Sequence, residues 1–320
     1  MPQTYVVTGA AGFIGSHLAE RLLRDGQRVR VIDNLLTGDR THLDTLKSLG
    51  GDLSITIGSI TDRDILQALC RGADYVLHHA ALPSVPRSVA DPLETHLHCV
   101  TGTLNLLVAA RDAGVKRVVY AASSSAYGDQ AGGVKAESMR PAPISPYGAA
   151  KLAGEYYAAA FTLSYGLETV ALRYFNVFGS RQDPNSAYAA VIPKFITTML
   201  RGQRPTIFGD GRQSRDFTYI DNVVQGNLLA CAAPAAVGET INLAAGGRVV
   251  LNDLVAQLND ILGSDLAPIH TVERPGDILR SQADISKARE LLGFEPVVDF
   301  EEGLRRTVDW YRTIPAAKSS

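Results

Sequence analysis

A glycine-rich turn between a short apolar run and a helical pattern is the feature that most constrains the fold of this chain. Residues 5–8 are apolar and rich in β-branched side chains, which predicts a buried strand. Apolar residues then recur at helical spacing over residues 13–24, which predicts a helix. Between the two stand Gly9, Gly12 and Gly15 in a G-x-x-G-x-x-G pattern. This order is typical of dinucleotide-binding α/β domains.

Each glycine has a separate task in such a turn. Gly9 permits the tight turn, Gly12 lets the backbone approach a pyrophosphate, and Gly15 lets the helix pack closely on the strand. The phosphates then meet free N–H groups at the positive end of the helix dipole.

A carboxylate stands at the end of the second predicted strand. Asp33 comes 18 residues after Gly15, where an acidic side chain accepts hydrogen bonds from an adenosine ribose and repels a 2′-phosphate. The alternative interpretation is that Asp33 and Asn34 cap a loop. Together with the glycine turn, Asp33 predicts NAD rather than NADP as the cofactor.

Short strands alternate with longer helices over the first half of the chain. Further strands are predicted at residues 28–32, 54–57, 75–77, 118–121 and 169–172, and helices near residues 62–71, 93–113 and 147–164. This alternation predicts a mostly parallel sheet covered on both faces, which is a doubly wound α/β Rossmann fold.

Prolines and glycines become frequent after residue 173, and we expect a smaller α/β lobe there. A helix followed by a strand over residues 220–243 predicts a return to the main sheet. The predicted division is an NAD-binding domain of residues 1–174 plus about 217–245, and a substrate lobe of about 175–216 plus 246–320.

The charge balance and the cysteines exclude some classes of protein. The 320 residues carry 31 basic and 33 acidic side chains. The chain therefore has no excess of positive charge that could neutralise the phosphates of a nucleic acid. No apolar run approaches the length of about 18 residues that spans a bilayer. Three widely spaced cysteines form no disulfide framework. We therefore expect a cytoplasmic enzyme with no nucleic-acid and no membrane partner.

Histidines near a cysteine suggest a metal site as an alternative. His78 and His79 follow a predicted strand, and His96, His98 and Cys99 are close in sequence. His96 and His98 are two positions apart on a predicted helix and face different ways. We therefore predict no metal.

A tyrosine and a lysine share one face of a predicted helix. Tyr147 and Lys151 stand at i and i+4. A nearby ammonium and a positively charged nicotinamide favour the phenolate, so the pKa of Tyr147 is expected to fall below about 10. Ser123 follows the strand predicted at 118–121, at the sheet edge where α/β folds bind ligands. Its hydroxyl can share a proton with Tyr147. A surface pair and a polar loop are the alternative interpretations.

Longer blocks of sequence extend this pattern along the whole chain. They are TGAAGFIG at 8–15, DNLLTG at 33–38, SSSAYGDQ at 123–130, SPYGAAK at 145–151, LRYFNVFGSRQDPNSAYAAVIPKF at 172–195, FGDGRQSRDFTYIDN at 208–222 and RPGDILRSQAD at 274–284. These blocks resemble the extended short-chain dehydrogenase/reductases, specifically the nucleotide-sugar epimerases. They are most similar to the UDP-N-acetylglucosamine 4-epimerase branch.

The resemblance implies a role for each matching position. Tyr147 is implied as the base, with Lys151 as its partner. Ser123 is implied as the catalytic hydroxyl, with Ser124 and Ser125 as close substitutes. The implied cofactor contacts are Gly9, Gly12, Phe13, Ile14, Gly15, Asp33, Asn34, Gly38, Ser59, Ile60, Ala80, Ala81, Cys99, Ala121, Tyr147, Lys151, Tyr174 and Phe175. The implied substrate contacts are Ser84, Val85, Arg87, Ser123, Ser124, Ser125, Asn176, Val191, Thr206, Phe208, Arg215, Arg274, Asp277 and Ser281.

The substrate contacts imply a UDP-sugar. Arg215 and Arg274 are implied to clamp the diphosphate, because guanidinium forks match phosphate oxygens. Asp277 is implied to hold the uridine ribose, and Thr206 and Phe208 to flank the uracil.

The chain departs from the family at three positions. Ser59 replaces an aspartate that is frequent near the adenine, and Cys99 replaces an asparagine that is frequent beside the cofactor ribose. Pro83 replaces the lysine that touches the pyrophosphate in galactose-type members, which agrees with the N-acetylhexosamine branch.

The residues after Ser123 bear on the type of reaction. Family members that dehydrate or decarboxylate carry acidic residues directly after the catalytic hydroxyl, whereas Ser124, Ser125 and Ala126 follow here. We therefore expect C4 epimerisation of a UDP-hexose. Tyr147 would take the C4 hydroxyl proton, a 4-keto sugar would form, and hydride would return to its opposite face.

Ser281 bears on the choice of sugar. In the family, a tyrosine five residues after Gly276 restricts the pocket to plain hexoses, and Ser281 stands there instead. We expect UDP-GlcNAc and UDP-GalNAc to be favoured, and UDP-Glc and UDP-Gal to be accepted. The alternatives are a UDP-glucose 4-epimerase proper, a UDP-glucuronate 4-epimerase, a nucleotide-sugar oxidoreductase and a non-catalytic NAD-binding protein. The family also implies a homodimer through the helices near 93–113 and 147–164.

Overall fold

Parallel strands form the central layer of the protein, in a computed structural model that describes residues 1–130, 133–184, 190–273 and 281–314. The strands are β1 (Thr4–Thr8), β2 (Arg28–Asp33), β3 (Leu53–Ile57), β4 (Tyr75–His78), β5 (Arg117–Ser123), β6 (Val134–Lys135), β7 (Glu168–Tyr174), β8 (Val177–Phe178), β9 (Thr206–Phe208), β10 (Ser214–Arg215), β11 (Thr218–Tyr219), β12 (Thr240–Leu243), β13 (Val249–Val250), β14 (Ile269–Thr271) and β15 (Gln282–Ala283). The helices are α1 (Phe13–Arg24), α2 (Arg40–Ser48), α3 (Arg63–Cys70), α4 (Val85–Ala90), α5 (Pro92–His96), α6 (Gly102–Asp112), α7 (Pro146–Tyr165), α8 (Val191–Leu200), α9 (Ile220–Ala232), α10 (Leu251–Leu262), α11 (Ser286–Leu292) and α12 (Phe300–Thr313). A π-helical turn, Leu97–Thr101, joins α5 to α6. None of the helices in these ranges combines the length and apolar composition needed to cross a membrane.

Seven strands make up the central sheet, in the order β12-β7-β5-β4-β1-β2-β3, and every neighbouring pair is parallel. Alternate residues of these strands face two apolar cores. Val6 packs in one core with Leu66 and Leu106, from α3 and α6. Val7 packs in the other with Leu18 of α1. Both faces are therefore covered, and the predicted doubly wound Rossmann fold is confirmed.

The last strand of this sheet comes from far along the chain. β12 runs parallel to β7, with Thr240 opposite Ala171 and Leu243 opposite Tyr174. A helix and a strand are therefore present within the segment 220–243, as its pattern predicts. The division of the chain into an NAD-binding domain and a substrate lobe stays a prediction.

Among the described residues, four two-stranded pairs lie outside the central sheet. They are β8 with β11, β9 with β14, β10 with β13 and β6 with β15. Each joins segments that are far apart in sequence, and most of these strands have two residues. A strand of two residues has no periodicity, so the sequence pattern does not indicate it.

Helix α2 is also absent from the sequence-based prediction. Its buried residues are Leu43 and Leu46, and the rest of its surface is polar or partly exposed. Asp39 caps it by accepting a hydrogen bond from the Thr41 N–H at 2.8 Å. A good cap and two apolar side chains hold a helix whose apolar stripe is too short to be recognised.

Candidate active site

A cavity of 1960 Å³ opens at the carboxyl ends of the central strands. The glycine turn after β1 and the ends of β2, β4, β5 and β7 line it, and ligands of open α/β sheets bind at this edge. Most of the predicted site residues line it, namely Gly9, Gly12, Phe13, Ile14, Gly15, Asp33, Asn34, Gly38, Ile60, Ala80, Ala81, Ser84, Val85, Arg87, Ala121, Ser123, Ser124, Ser125, Tyr147, Lys151, Tyr174, Phe175, Asn176, Arg215 and Ser281.

Other predicted site residues do not line the cavity in the described part of the chain. They are Ser59, Cys99, Val191, Thr206 and Phe208. Cys99 is buried, and its Sγ accepts a hydrogen bond from the Leu82 N–H at 3.4 Å, which places it behind the cavity wall. Arg274 and Asp277 lie outside the described residues. The roles assigned to these residues stay predictions.

The glycine turn approaches its neighbours more closely than any side chain allows. Gly9 has a φ of +73°, and a Cβ there would lie 2.8 Å from the Ala80 nitrogen. A Cβ on Gly15 would lie 2.2 Å from the Gly9 oxygen, so helix and turn meet only because both residues are glycine. Gly12 is the N-cap of α1, and no side chain caps this end. The first turn of α1 thus offers backbone N–H groups and its positive dipole end to a pyrophosphate.

Asp33 can serve both functions considered for it, as a cap of the loop after β2 and as a ligand of the ribose. Its Oδ2 accepts a hydrogen bond from the Ala11 N–H at 2.9 Å, and its Oδ1 accepts one from the Leu35 N–H at 2.8 Å. The carboxylate therefore fastens the glycine turn to the loop after β2. A carboxylate has about four acceptor sites, so Asp33, which lines the cavity, can also accept from ribose hydroxyls.

Lys151 is held at the inner wall of the site by the start of α7. Ser145 caps this helix by accepting a hydrogen bond from the Gly148 N–H at 3.1 Å, with Pro146 in the first turn. The ammonium of Lys151 is buried and donates to the Ala121 carbonyl at 2.8 Å. This bond fixes the long side chain at the end of β5, beside the cavity.

Ser123 is the member of the serine triplet that the geometry pairs with Tyr147. Its Oγ accepts hydrogen bonds from the N–H of Ser125 at 3.2 Å and from the Ser125 hydroxyl at 2.8 Å. A hydroxyl has two acceptor positions, and Ser125 occupies both, so the Ser123 proton is left to donate. Interaction with the Ser123 hydroxyl lowers the pKa of the Tyr147 phenol, as donation of a hydrogen bond to the phenol oxygen does.

The pKa of Tyr147 differs from the expectation that Lys151 lowers it. Burial raises this pKa above its ordinary value, and it outweighs the hydrogen bond from Ser123. The Lys151 ammonium donates to Ala121 and lies 5.0 Å from the Tyr120 ring centroid. Tyr147 is therefore a phenol at neutral pH in the protein alone, and it needs a further positive charge nearby to act as a base.

The loop after β4 carries the predicted sugar contacts. Ser84 caps α4, and its Oγ accepts a hydrogen bond from the Arg87 N–H at 3.1 Å. The Arg87 guanidinium pairs with Glu94 at 2.9 Å. Both side chains therefore shape this wall of the cavity as well as lining it.

His78 and His79, considered above as metal ligands, have structural partners. The ring nitrogens of His78 lie 2.7 Å from the Thr8 hydroxyl and 3.0 Å from the Thr103 hydroxyl. Nε2 of His79 lies 2.8 Å from the Tyr174 hydroxyl. Within the described ranges, no three potential ligands converge as a metal site requires.

Several charged residues of the cavity wall were missed by the sequence reasoning, among them Lys135 and Arg181. Lys135 is buried and donates to the Gln130 carbonyl at 2.6 Å. Arg181 has a φ of +65° and forms an ion pair with Glu20, which is 161 positions away. Neither has a local pattern around it that could have indicated the cavity.

Comparison with known proteins identifies relatives of this site. A model of the NAD dependent epimerase/dehydratase family matches residues 5–244. The UDP-N-acetylglucosamine 4-epimerase of Methanobrevibacter ruminantium M1, solved with UDP-N-acetylmuramic acid, is 43% identical, and the match covers 98% of this chain and 99% of that one with a TM-score of 0.93. The UDP-glucose 4-epimerase of Thermotoga maritima, solved with UDP-glucose, is 38% identical, with 97% and 99% covered and a TM-score of 0.91.

A third solved structure contains the cofactor. The UDP-glucuronic acid 4-epimerase of Bacillus cereus, in complex with UDP-glucuronic acid and NAD, is 33% identical, with 97% and 99% covered and a TM-score of 0.89. The family match includes the glycine turn, Ser123, Tyr147 and Lys151, so the predicted resemblance is confirmed. The chain belongs to the NAD-dependent epimerase/dehydratase family of extended short-chain dehydrogenase/reductases.

Proposed function

We propose that the protein is a UDP-hexose 4-epimerase that favours UDP-GlcNAc and UDP-GalNAc and also accepts UDP-Glc and UDP-Gal. The observation that carries this proposal is the Ser123–Tyr147 hydroxyl pair beside the buried Lys151, in the cavity that also contains the glycine turn. The three solved relatives described above each bind a UDP-sugar. We further propose that the protein is cytoplasmic and homodimeric.

The glycine turn and Asp33 fit NAD, because the turn leaves no room for a Cβ and its helix end is uncapped. NAD, when bound there, supplies a positively charged nicotinamide that accepts hydride from C4 and returns it. Tyr147 takes the proton of the C4 hydroxyl, and Ser123 donates a hydrogen bond to the same oxygen. Lys151 stays fixed at the Ala121 carbonyl, and the further positive charge that favours the ionised form of Tyr147 would be that of the nicotinamide. After the ketone turns over, Tyr147 returns the proton.

The positions directly after Ser123 carry no acidic side chain that could drive a second reaction on the ketone. Ser124, Ser125 and Ala126 form a short 3₁₀ turn directly after Ser123. Expulsion of water, or loss of CO₂ from a carboxylate followed by protonation of the enolate, needs a group that donates or accepts a further proton there. Return of hydride to the opposite face of the ketone is therefore the favoured outcome.

The reaction can be tested with the purified protein and no added cofactor. UDP-GlcNAc, UDP-Glc and UDP-glucuronate are incubated separately, and the products are assigned by proton NMR. We expect the C4 epimers of the first two, with no net NADH absorbance. If none of the three substrates forms its C4 epimer, the proposal is contradicted. Release of stoichiometric NADH indicates an oxidoreductase.

UDP-glucuronate is included because a specific observation favours it as a second candidate substrate. Lys135 lines the cavity as a buried ammonium, and the Bacillus cereus relative binds UDP-glucuronic acid. An ammonium in such a position suits a carboxylate.

Replacing Ser281 with tyrosine is expected to change the choice of sugar. Ser281 lines the cavity, and its N–H donates to the Ser214 carbonyl at 3.2 Å. A ring at this position fills space that a 2-acetamido group needs, so kcat/KM for UDP-GlcNAc should fall about tenfold or more while that for UDP-Glc is retained. Ser48→Tyr, on the exposed side of α2, is the control. Unchanged UDP-GlcNAc turnover in Ser281→Tyr would exclude this role.

The proposed dimer uses a helix pair that exposes apolar side chains. The turn between α5 and α6 packs beside α7, and Leu97 and Leu163 on these elements are 45% and 87% exposed. Exposed apolar side chains on neighbouring elements support the proposal of an interface there. We expect Leu97→Asp with Leu163→Asp to be a monomer by light scattering, whereas wild type and Val297→Asp, a control at another exposed apolar site, are dimers. A monomeric wild type would refute the dimer.

A further inference from the structure

Asp216 is a fully buried carboxylate that joins separate segments of the chain. Its side chain is 0% exposed. Oδ1 accepts a hydrogen bond from the Ala245 N–H at 3.2 Å, and Oδ2 accepts one from the Ala283 N–H at 3.0 Å. Ala245 follows the last strand of the central sheet, and Ala283 ends β15. One side chain thus connects the segment between β10 and β11 to two others.

Holding a carboxylate in this position has a free-energy cost. Burial raises the pKa of Asp216 to about 7, although backbone hydrogen bonds from Ala283, Ala245 and Gly246 oppose the rise. A buried polar group is tolerated when its hydrogen bonds are made. The three backbone N–H groups would in turn lose their acceptor if the carboxylate were removed.

The residues proposed to bind substrate are attached to this same segment. The backbone carbonyl of Asp216 accepts a hydrogen bond from Asn176 Nδ2 at 3.1 Å. Asn176 has a φ of +32°, a conformation that needs support from its surroundings. Ser281 donates its N–H to the Ser214 carbonyl at 3.2 Å, and Arg215 lies between Ser214 and Asp216.

We propose that Asp216 is a positioning residue for the UDP-sugar site, which holds Asn176, Arg215 and Ser281 in one arrangement at the cavity wall. The proposal rests on the proposed function, since it takes a UDP-sugar as the ligand. Asp216 itself is fully buried and does not line the cavity, so its role would be positioning rather than contact with the sugar. Without its carboxylate, β15 and the segment after β12 keep the Ser281–Ser214 hydrogen bond and the β10–β13 pairing as ties to β10, so Ser281 and Arg215 are held less firmly.

The first test compares Asp216→Asn with a matched control. The amide keeps one acceptor oxygen but places an N–H against a backbone N–H. Asp284→Asn changes a neighbouring, partly exposed carboxylate that accepts a hydrogen bond from the Ser286 N–H. For the holoenzyme of Asp216→Asn, we expect UDP binding by calorimetry to weaken about tenfold and KM to rise similarly, because a buried N–H is left unsatisfied. NAD content and kcat should stay within about twofold of wild type, as for any loss of uniform binding.

The outcomes separate this proposal from the proposed function. Wild-type UDP affinity in Asp216→Asn, or a fall in kcat with KM unchanged, overturns the positioning role. Weakened UDP binding in a protein that forms no C4 epimer keeps the positioning role and removes the epimerase assignment.

A second measurement covers the case in which Asp216→Asn does not fold. Hydrogen exchange of the wild-type holoenzyme is followed at the amides of Ala245 and Ala283, with and without saturating UDP. Because a ligand stabilises the structure that it binds, UDP should slow exchange at both amides at least about tenfold more than at the amides of α2. Equal slowing at all these sites would overturn the proposal.

Discussion

Tyr147→Phe is expected to lose epimerisation almost completely while keeping its fold and its NAD. The substitution removes the oxygen that takes the C4 proton and leaves the ring that fills the same space, so kcat should fall by about 10³-fold. Ser123 and Lys151 keep their own hydrogen bonds to Ser125 and Ala121. Turnover is measured by NMR and cofactor content by extraction.

The control for this variant lies on the same helix. Tyr156→Phe removes a hydroxyl from the exposed face of α7, and it should retain wild-type turnover. If Tyr147→Phe keeps activity, Tyr147 is not the base. If it loses NAD as well, the phenol contributes to cofactor binding and not only to proton transfer.

Arg173→Met is expected to lower the free energy of unfolding by about 3–5 kcal/mol. Arg173 and Glu155 form a two-pronged ion pair, with Nε to Oε1 at 3.0 Å and Nη2 to Oε2 at 2.7 Å. Both side chains are almost fully buried, at 4% and 2% exposed. The substitution leaves the Glu155 carboxylate buried without a partner, one helical turn after Lys151.

The loss of unfolding free energy in Arg173→Met should depend on pH, and the direction of this dependence follows from the pKa of Glu155. Burial raises the pKa of Glu155, and Arg173 opposes that rise. Without Arg173 the folded state favours the protonated carboxyl even more. The variant is therefore least stable at high pH and recovers part of its stability as the pH falls through the raised pKa. Urea unfolding at about pH 8 and about pH 5 measures the difference.

An exposed pair of the same geometry serves as the control. Arg289 pairs with Glu295 through Nε at 2.9 Å and Nη2 at 3.1 Å, at 53% and 67% exposure. Arg289→Met should cost less than about 1 kcal/mol, because water solvates the remaining charge. Equal losses for the two variants would show that burial does not set the energy of the Arg173–Glu155 pair.

The main sheet and the cofactor turn could be predicted because their signals are local. The apolar run at residues 5–8, the three glycines and the apolar stripe of α1 follow one another directly in the sequence. All three signals predict the same local structure, a strand, a tight turn and a helix. Parallel strands that are buried on both faces also appear as nearly continuous apolar runs, which distinguishes them from the neighbouring sequence. The place of Ser123 at the end of β5 follows from the same pattern.

The substrate side could be predicted only through resemblance, because its contacts connect distant segments. Asp216 meets Ala283 across 67 positions, and Arg181 meets Glu20 across 161. A periodic pattern shows which face of an element is buried but not which remote element it meets. The direction of the Lys151 ammonium was missed for a related reason, since its acceptor is a backbone carbonyl of β5.

The position of β12 has a consequence for synthesis of the chain. The outer edge of β7 is covered only when Thr240–Leu243 pairs with it. On the ribosome, β7 therefore stays an edge strand until residue 243 has emerged, and unpaired strand edges invite pairing with other chains. Ser281 and Ala283 emerge later still. A nascent chain can thus form its cofactor turn early, while the opposite wall of the cavity is completed only after residues 281–283 have emerged.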